Sequence, residues 1–527
     1  MPKRLTGVLG VLAVCGLMCG AAGSGSCGRG RAGVTYFVDA VAGNDSRSGT
    51  SRKAAWRTLE RVSQAHLMAG DRVLLGSGQA FEGPLTLNEG QSGAAEAPIV
   101  LAATGRKPAA IDGGAGDALT LTGCRYVRVS NLRLVGCGRG KGSNGAGLRM
   151  HATTGVELDR LEVSGFRLGG VVMGADRDAR LTRVRAHDNG YAGICSNAGW
   201  DGVPRSSNLV IAHCQVLNNP GDPKNLSNHS GNGIVIGGAD GCLIEYCEAA
   251  YNGWDMPREG NGPVGIWGYN CDRLTIQHCI SHHNQSPGED GGGFDLDGGI
   301  TNSYLQYNVS YDNQGPGILL CEFGAGRPWQ NNVVRYNLSV NDGLRNYHSG
   351  IGLWLGYPGM RDCLIHNNTV INATHGISTR GDVPDMVYRN NVFLVGGDVL
   401  EGDFSHSRFE RNLYWRTGVG VFHRDGDRVH SSLAEWARAT GQEMADGRLV
   451  GMWADPKLLL PSARRKLPTD VRRIAGMQVG PLRPGSPCLG AGMPLAGNGG
   501  RDLYGDPLPE GRAPSLGAHE PGGASRG

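Results

Sequence analysis

The chain has 527 residues and a net charge of +3, and its basic residues form no block or stripe, which argues against a nucleic-acid partner. Hydrophobic residues make up 39% of it, enough for a core, and its 88 glycines follow no collagen period, so they supply turns. Length alone would suggest about three or four domains, but a chain that grows along one axis can hold a single long core.

Residues 1–23 read as a secretory signal: Lys3 and Arg4 precede the apolar run 5–18, and Gly20, Ala21, Ala22 and Gly23 follow it. A secreted, periplasmic or cell-surface protein is therefore expected. The run is short for a membrane span, and no later segment offers about 18 uninterrupted apolar residues, so the mature chain should lack one. Cys15, Cys19 and Cys27 leave a lipid anchor open, although none follows a good lipobox. Residues 24–33 form a basic linker of small residues, expected to be disordered. Region 34–126 then shows a strand at 35–38, a polar loop at 43–51, a short amphipathic helix at 59–68 and a strand at 72–75. It reads as a cap and first coils, because the open strand edge at the end of a solenoid has to be covered.

From 127 to 422 one pattern recurs: an apolar residue, two variable positions, then Asn, Cys or an aliphatic residue, then a turn and a second apolar strand. The fourth position runs through Leu132, Leu161, Val184, Cys214, Cys247, Cys279, Asn308, Asn337, Asn368, Asn390 and Asn412. A second ladder lies five residues on, at Asn189, Asn219, Asn252, Asn284 and Asn313. A propeller blade needs four strands in roughly 40–50 residues, and a leucine-rich repeat needs fixed leucine spacing. Neither is present. Short strands with Gly- and Asn-rich turns and no helical period give an all-β parallel solenoid, each coil covering the apolar face of the next. Asn suits the corners because it tolerates left-handed backbone and its amides can bond along the axis. Cys214, Cys247 and Cys279 occupy that inward ladder, so buried free thiols are expected, and no Cys/His spacing suggests zinc. Asn308, Asn337 and Asn367 fit the glycosylation pattern, which repetition of Asn and Ser on the ladder explains. Residues 423–527 form an irregular C-terminal capping segment.

The run Tyr36-Phe-Val-Asp-Ala-Val-Ala-Gly-Asn-Asp-Ser-Arg-Ser-Gly-Thr50, with Trp56-Arg-Thr-Leu59 and Ala69-Gly-Asp-Arg-Val-Leu-Leu75, resembles the opening of secreted bacterial right-handed parallel β-helix repeat proteins. Ser432-Leu-Ala-Glu-Trp436, Pro484-Gly-Ser-Pro487 and Gly517-Ala-His-Glu520 resemble their close. Many such proteins are pectate-lyase-like or otherwise act on polysaccharides. The resemblance implies a right-handed β-helix with a helical N-terminal cap, whereas the reaction stays open, because this scaffold carries lyases, hydrolases, epimerases and adhesins.

After each Asn corner comes a strand whose first and third residues are mostly apolar, so its second and fourth face outward. Coil by coil that outer face shows Trp267 and Tyr269, Asp295 and Asp297, Cys321 with Glu322 just beyond, Trp354, and Arg380. Aromatic rings offer flat faces to sugar rings, and carboxylates and Arg bind hydroxyl or acidic groups. Loops 221–233, 253–265 and 285–293 before this strand, and 198–207 and 323–330 after it, are placed to wall a groove.

The leading expectation is a monomeric glycoside hydrolase acting on a polysaccharide. Asp297 and Glu322 would be acid and nucleophile in either order and Asp295 a supporting carboxylate, with no cofactor required. Crowding of these acids should raise one pKa, as an acid catalyst needs. Trp267, Tyr269, Trp354 and Arg380 would hold sugar units. The first alternative is a calcium-assisted lyase on a uronate-containing glycan, with Lys224, Arg258, Arg345 or Arg380 as the cation. If the acids are not catalytic, they bond turn amides after the Gly-rich corners or bind a structural calcium with Glu289 and Asp290. A non-catalytic glycan-binding protein is the second alternative. His229, His282, His283 and His348 lie on the same side by sequence, where polar surface is the simpler reading.

Overall fold

The computed structural model describes residues 31–142, 144–198, 203–382 and 384–522. The expected signal segment, Cys15, Cys19, Cys27 and all but the end of the linker lie outside them. Among the described residues no helix is long and apolar enough to cross a membrane.

Alternation of apolar and polar residues with a period of two builds two long sheets, of 26 and 14 strands, whose coil-to-coil pairings are parallel. The larger sheet bends along its length. Strand Val127–Gly136 pairs with both Ile99–Ala103 and Ala109–Gly114, and further on each coil gives two short strands, such as Arg180–Thr182 and Arg185–His187. A residue with positive φ sits at each bend: Arg183, His213, Tyr246, His278, Tyr307 and Tyr336, for example. The two halves of this sheet and the 14-stranded sheet make three faces around a core of Ile, Leu and Val.

The left-handed corner residue is the one before each ladder Asn, not the Asn itself. Tyr307 precedes Asn308, and Asn218 precedes Asn219. Side-chain bonding is therefore what the ladder Asn contributes. Asn219 Nδ2 donates to Asn252 Oδ1 (2.9 Å), Asn252 Nδ2 to Asn284 Oδ1 (2.9 Å) and Asn284 Nδ2 to Asn313 Oδ1 (2.9 Å). The same oxygens also accept the backbone N–H of the preceding Asn. The other ladder runs from Asn308 through Asn337, Asn368 and Asn391 to Asn412. Asn391 is its member, and Asn390 is the left-handed corner residue. The reading of Val387–Asn390 as that coil's register is thus displaced by one residue, which turns every side chain to the other face. Toward the N-terminus cysteines replace the amides: Cys214 N–H donates to Cys247 Sγ and Cys247 N–H to Cys279 Sγ, both at 3.4 Å. All cysteines among the described residues are free thiols.

Both ends of the core are covered. Helix Leu59–Ser63, N-capped by Thr58, buries Leu59 and Val62. It is shorter than the 59–68 expected. Helix Leu433–Thr440, N-capped by Ser432 and closed by left-handed Gly441, lays Trp436 against Phe409 and Phe422. Glu443 ends the second ladder by accepting from Asn412 Nδ2 at 2.7 Å. The coils reach past 422, since His423–Asp425 still pairs with Leu400–Glu401. Later residues run along the outside, where Val479 and Tyr504 pack on Tyr307, Tyr336 and Leu338.

Candidate functional site

The outward side of the 14-stranded sheet carries the site. Ile234, Ile266, Phe294, Ile318, Ile351 and Ile377 share the inward register, which places Val235, Trp267, Asp295, Leu319, Gly352 and Ser378 outward. Two residues on, Tyr269, Asp297, Cys321, Trp354 and Arg380 occupy the next outward row. Above these rows lies a cleft of about 590 Å³. Its floor includes Trp267, Tyr269, Asp295, Asp297, Cys321 and Trp354, and its walls include His229, Asn261, Asp290 and Phe323 from the flanking loops.

Glu322 does not join this group. It pairs with Leu355, on the inward parity, and is 4% exposed. Its carboxylate accepts from the backbone N–H of Gly324 (2.6 Å), Ala325 (3.2 Å) and Gly299 (3.1 Å). The strand keeps its alternation one residue further than the sequence reading allowed, so this acid folds back to fasten the turn.

Asp290 faces the cleft instead. Its Oδ2 accepts from Gly262 N–H at 2.7 Å, and burial, with the charges of Asp297 and Glu289, pushes its pKa up to about 7. Asp297 Oδ1 accepts from Gly298 N–H at 2.7 Å. Burial raises Asp297 too, against hydrogen bonds from Cys321 and Gly298 that favour its charge. Asp295 is 2% exposed, its Oδ1 has no hydrogen-bond partner, and burial followed by the charges of Asp297 and Asp290 raises it well above the carboxylate range. Of these two acids, Asp297 is therefore the easier to ionise, because its charge is met by hydrogen bonds that Asp295 lacks.

Arg380 is exposed, and its guanidinium lies over the Tyr347 ring, 4.7 Å from the centroid, while Tyr347 lines the cleft. Lys224 and Arg258 stand outside the lining. Lys224 Nζ donates to Gly142 O at 3.4 Å, and Arg258 donates to Asn261 O at 2.8 Å. Arg345 and His348 are also outside it. His282 ends strand Ile280–His282 of the other sheet and His283 is the corner residue after it, both against Tyr311. His229 is in the wall, along with Tyr191, which the sequence did not single out. Glu289 and Asp290 both line the cleft, yet the one set of three metal-ligand atoms within 4.8 Å among the described residues is Asp502, Asp506 and His519, elsewhere. With Asp290 Oδ2 already held by an amide, the predicted calcium pair does not form a compact oxygen cage.

A family model described as "Right handed beta helix region" matches residues 224–393, which contain the cleft floor. With the sheet topology, this gives the chain the fold of a right-handed parallel β-helix. Among curated proteins the chain is similar to a lacto-N-biosidase of Bifidobacterium longum, 25% identical over 478 aligned residues that cover 69% of this chain and 29% of that protein. It thus spans under a third of that relative's length. A GH136 lacto-N-biosidase from Eubacterium ramulus superposes with a TM-score of 0.50 at 20% identity, over 68% of this chain and 66% of that one. A pectate lyase superposes at 0.44 and 15% identity, over 93% and 96%.

Proposed function

We propose that this β-helix is a glycoside hydrolase working in the cleft on the outer face of the 14-stranded sheet. The observation that carries the reading is the convergence of Asp290, Asp295 and Asp297, with unequal proton affinities, beside Trp267, Tyr269 and Trp354. Glycoside hydrolysis needs one carboxyl that is still protonated at working pH and one that is not. Asp290, held near 7, donates its proton to the leaving oxygen. Asp297, which keeps its charge more readily, is the nucleophile or base. Each has one oxygen fixed by a backbone amide, so its other oxygen is directed by a rigid frame. Asp295 stays neutral between them and offers an O–H to Asp297 or to a sugar.

Support for a glycan substrate comes from the lacto-N-biosidase likeness and from the aromatic floor. The cleft has the volume of a small-ligand pocket, which suits a few sugar units at a chain end more than a long polymer. None of Lys224, Arg258, Arg345 and Arg380, the cations the elimination reading offers, lines the cleft beside the acids, which favours hydrolysis over a lyase reaction. The scheme uses no metal. The sequence signal for export suits an extracellular glycan.

The test is to assay the purified chain on aryl glycosides, beginning with a lacto-N-bioside, and on uronate-containing polymers, following released phenol, reducing ends and unsaturated products. Release of phenol that survives a chelator, and is lost in Asp290→Asn and Asp297→Asn proteins that still fold, is the expected result. Unsaturated product, or activity untouched by both substitutions, would overturn it.

A further inference from the structure

Behind the cleft wall lies a hydrogen-bond chain that the acid chemistry does not use, and it fixes where one proton sits. The Trp267 indole N–H can only donate, and it donates to Asn232 Oδ1 at 3.1 Å. That sets the orientation of the Asn232 amide, which is fully buried. Its Nδ2 must therefore be the atom that donates to Tyr191 O (3.1 Å) and meets His229 Nδ1 at 3.0 Å. His229 Nδ1 is left as an acceptor, so the ring proton is on Nε2. The imidazole is 7% exposed and lines the cleft, its ring 5.0 Å from Trp267 edge to face and 5.5 Å from Tyr191. Nδ1 faces the buried amide, Nε2 lies on the opposite edge of a ring that lines the cleft, and Nε2 has no hydrogen-bond partner among the described residues.

We infer that His229 is a specificity-determining residue: a fixed, neutral imidazole that gives its Nε2–H to one acceptor oxygen, a hydroxyl or an amide carbonyl, of the sugar seated on Trp267. This rests on the cleft being a glycan site. The choice of acceptor is strict because a group lacking it would leave a nearly buried N–H unmet. Neutrality is enforced by geometry as well as burial. A proton on Nδ1 would set N–H against the N–H of Asn232, which cannot turn without losing Trp267. The charged groups around the ring are Arg258 on the next loop, which opposes protonation, and Glu289, Asp290, Asp295 and Asp297 in the same cleft, whose raised pKa values lessen the pull of three of them.

Imidazole ¹⁵N–¹H spectra of the full chain read the proton directly. The Nε2–H tautomer of His229 is expected to persist unchanged from pH 7 to pH 5. An Nδ1–H tautomer, or an imidazolium in that range, would overturn the assignment. Kinetics on the aryl lacto-N-bioside, or whichever aryl glycoside proves active, test the role. His229→Leu should raise KM about tenfold, the worth of one hydrogen bond left unmade, and His229→Gln, whose amide N–H reaches the same place, should restore most of it. Wild-type turnover with an unchanged KM in His229→Leu would refute the role of His229 and leave the hydrolase reading standing. No wild-type turnover of any glycoside would refute the hydrolase reading and this role with it, while the spectra would still decide the tautomer.

Discussion

Two polar stripes run along the axis of this helix, and they differ in one respect. In the asparagine ladders each buried amide is met by its own and neighbouring coils: Asn313 Nδ2, for instance, donates to Asp342 Oδ1 at 2.8 Å, to Ser310 Oγ at 3.0 Å and to Ser281 O at 3.1 Å. On the cleft floor the acids crowd without such company, and Asp295 keeps a buried oxygen with no partner. Buried polar groups that are all satisfied define a scaffold, whereas an unmet carboxylate oxygen beside other acids has to be offset elsewhere. The repeat thus supplies its own control, because the same coils build both stripes.

The largest effect expected from breaking this contrast is on turnover. Asp297→Asn and Asp290→Asn should each lower kcat/KM by about 10²–10⁴, the usual worth of acid–base catalysis. Neither should lower the thermal midpoint, since removing one of several crowded acids relieves repulsion. Steady-state rates beside a melting curve check both halves. The ladder predicts the reverse. Glu443→Ala leaves the Asn412 backbone N–H and the Tyr414 hydroxyl, which now donate to Glu443 Oε1 at 3.2 and 2.8 Å, buried and unmet. At 1–3 kcal/mol for each stranded group, a loss of about 3 kcal/mol in urea unfolding is expected.

Next in size is a dependence on pH. Asp342 takes an Asn position in the ladder, and burial raises its pKa to about 7, against hydrogen bonds from Ser339 and Asn313. A carboxyl raised in the folded state binds a proton that the unfolded chain, with a pKa near 3.9, has released. Its contribution to stability is therefore fully present below about pH 4 and is lost as the pH rises to about 7. Asp342→Asn should remove up to one proton from the linkage, about 1.4 kcal/mol per pH unit across that window, and so flatten the fall in stability between pH 4 and 7. Asp290, Glu443 and Asp502, also raised to about 7, would keep the rest of the slope.

Most of the architecture was legible in the sequence because the ladder positions recur and period-two alternation separates inside from outside. The outward placement of Trp267, Tyr269, Asp295, Asp297 and Trp354 follows from that alternation alone. What escaped lies where the repeat gives no register. Asp290, His229 and Tyr191 approach the cleft from loops or corners, and their direction is set by contacts between coils, such as Gly262 N–H on Asp290. Asn390 was mistaken for Asn391 because two asparagines are adjacent and either satisfies the pattern. Glu322 was misread for a different reason: it stands at a strand end, where a carboxylate serves a turn as readily as a substrate.

That residue supplies the finest test, because it sits next to the cleft in sequence but behaves like a ladder group. Its two oxygens take three backbone amides, so most of its accepting capacity is spent on the turn rather than on chemistry at the reacting bond. Glu322→Gln keeps an oxygen for Gly324 and Ala325 but turns an NH₂ toward the Gly299 amide, donor against donor. The cost should be about 1–2 kcal/mol of stability, from one amide left without its acceptor. Turnover should fall far less than in the Asp297→Asn protein. A thousandfold loss in Glu322→Gln with its fold intact would return the second carboxyl to position 322 and displace Asp290 from the proposed pair.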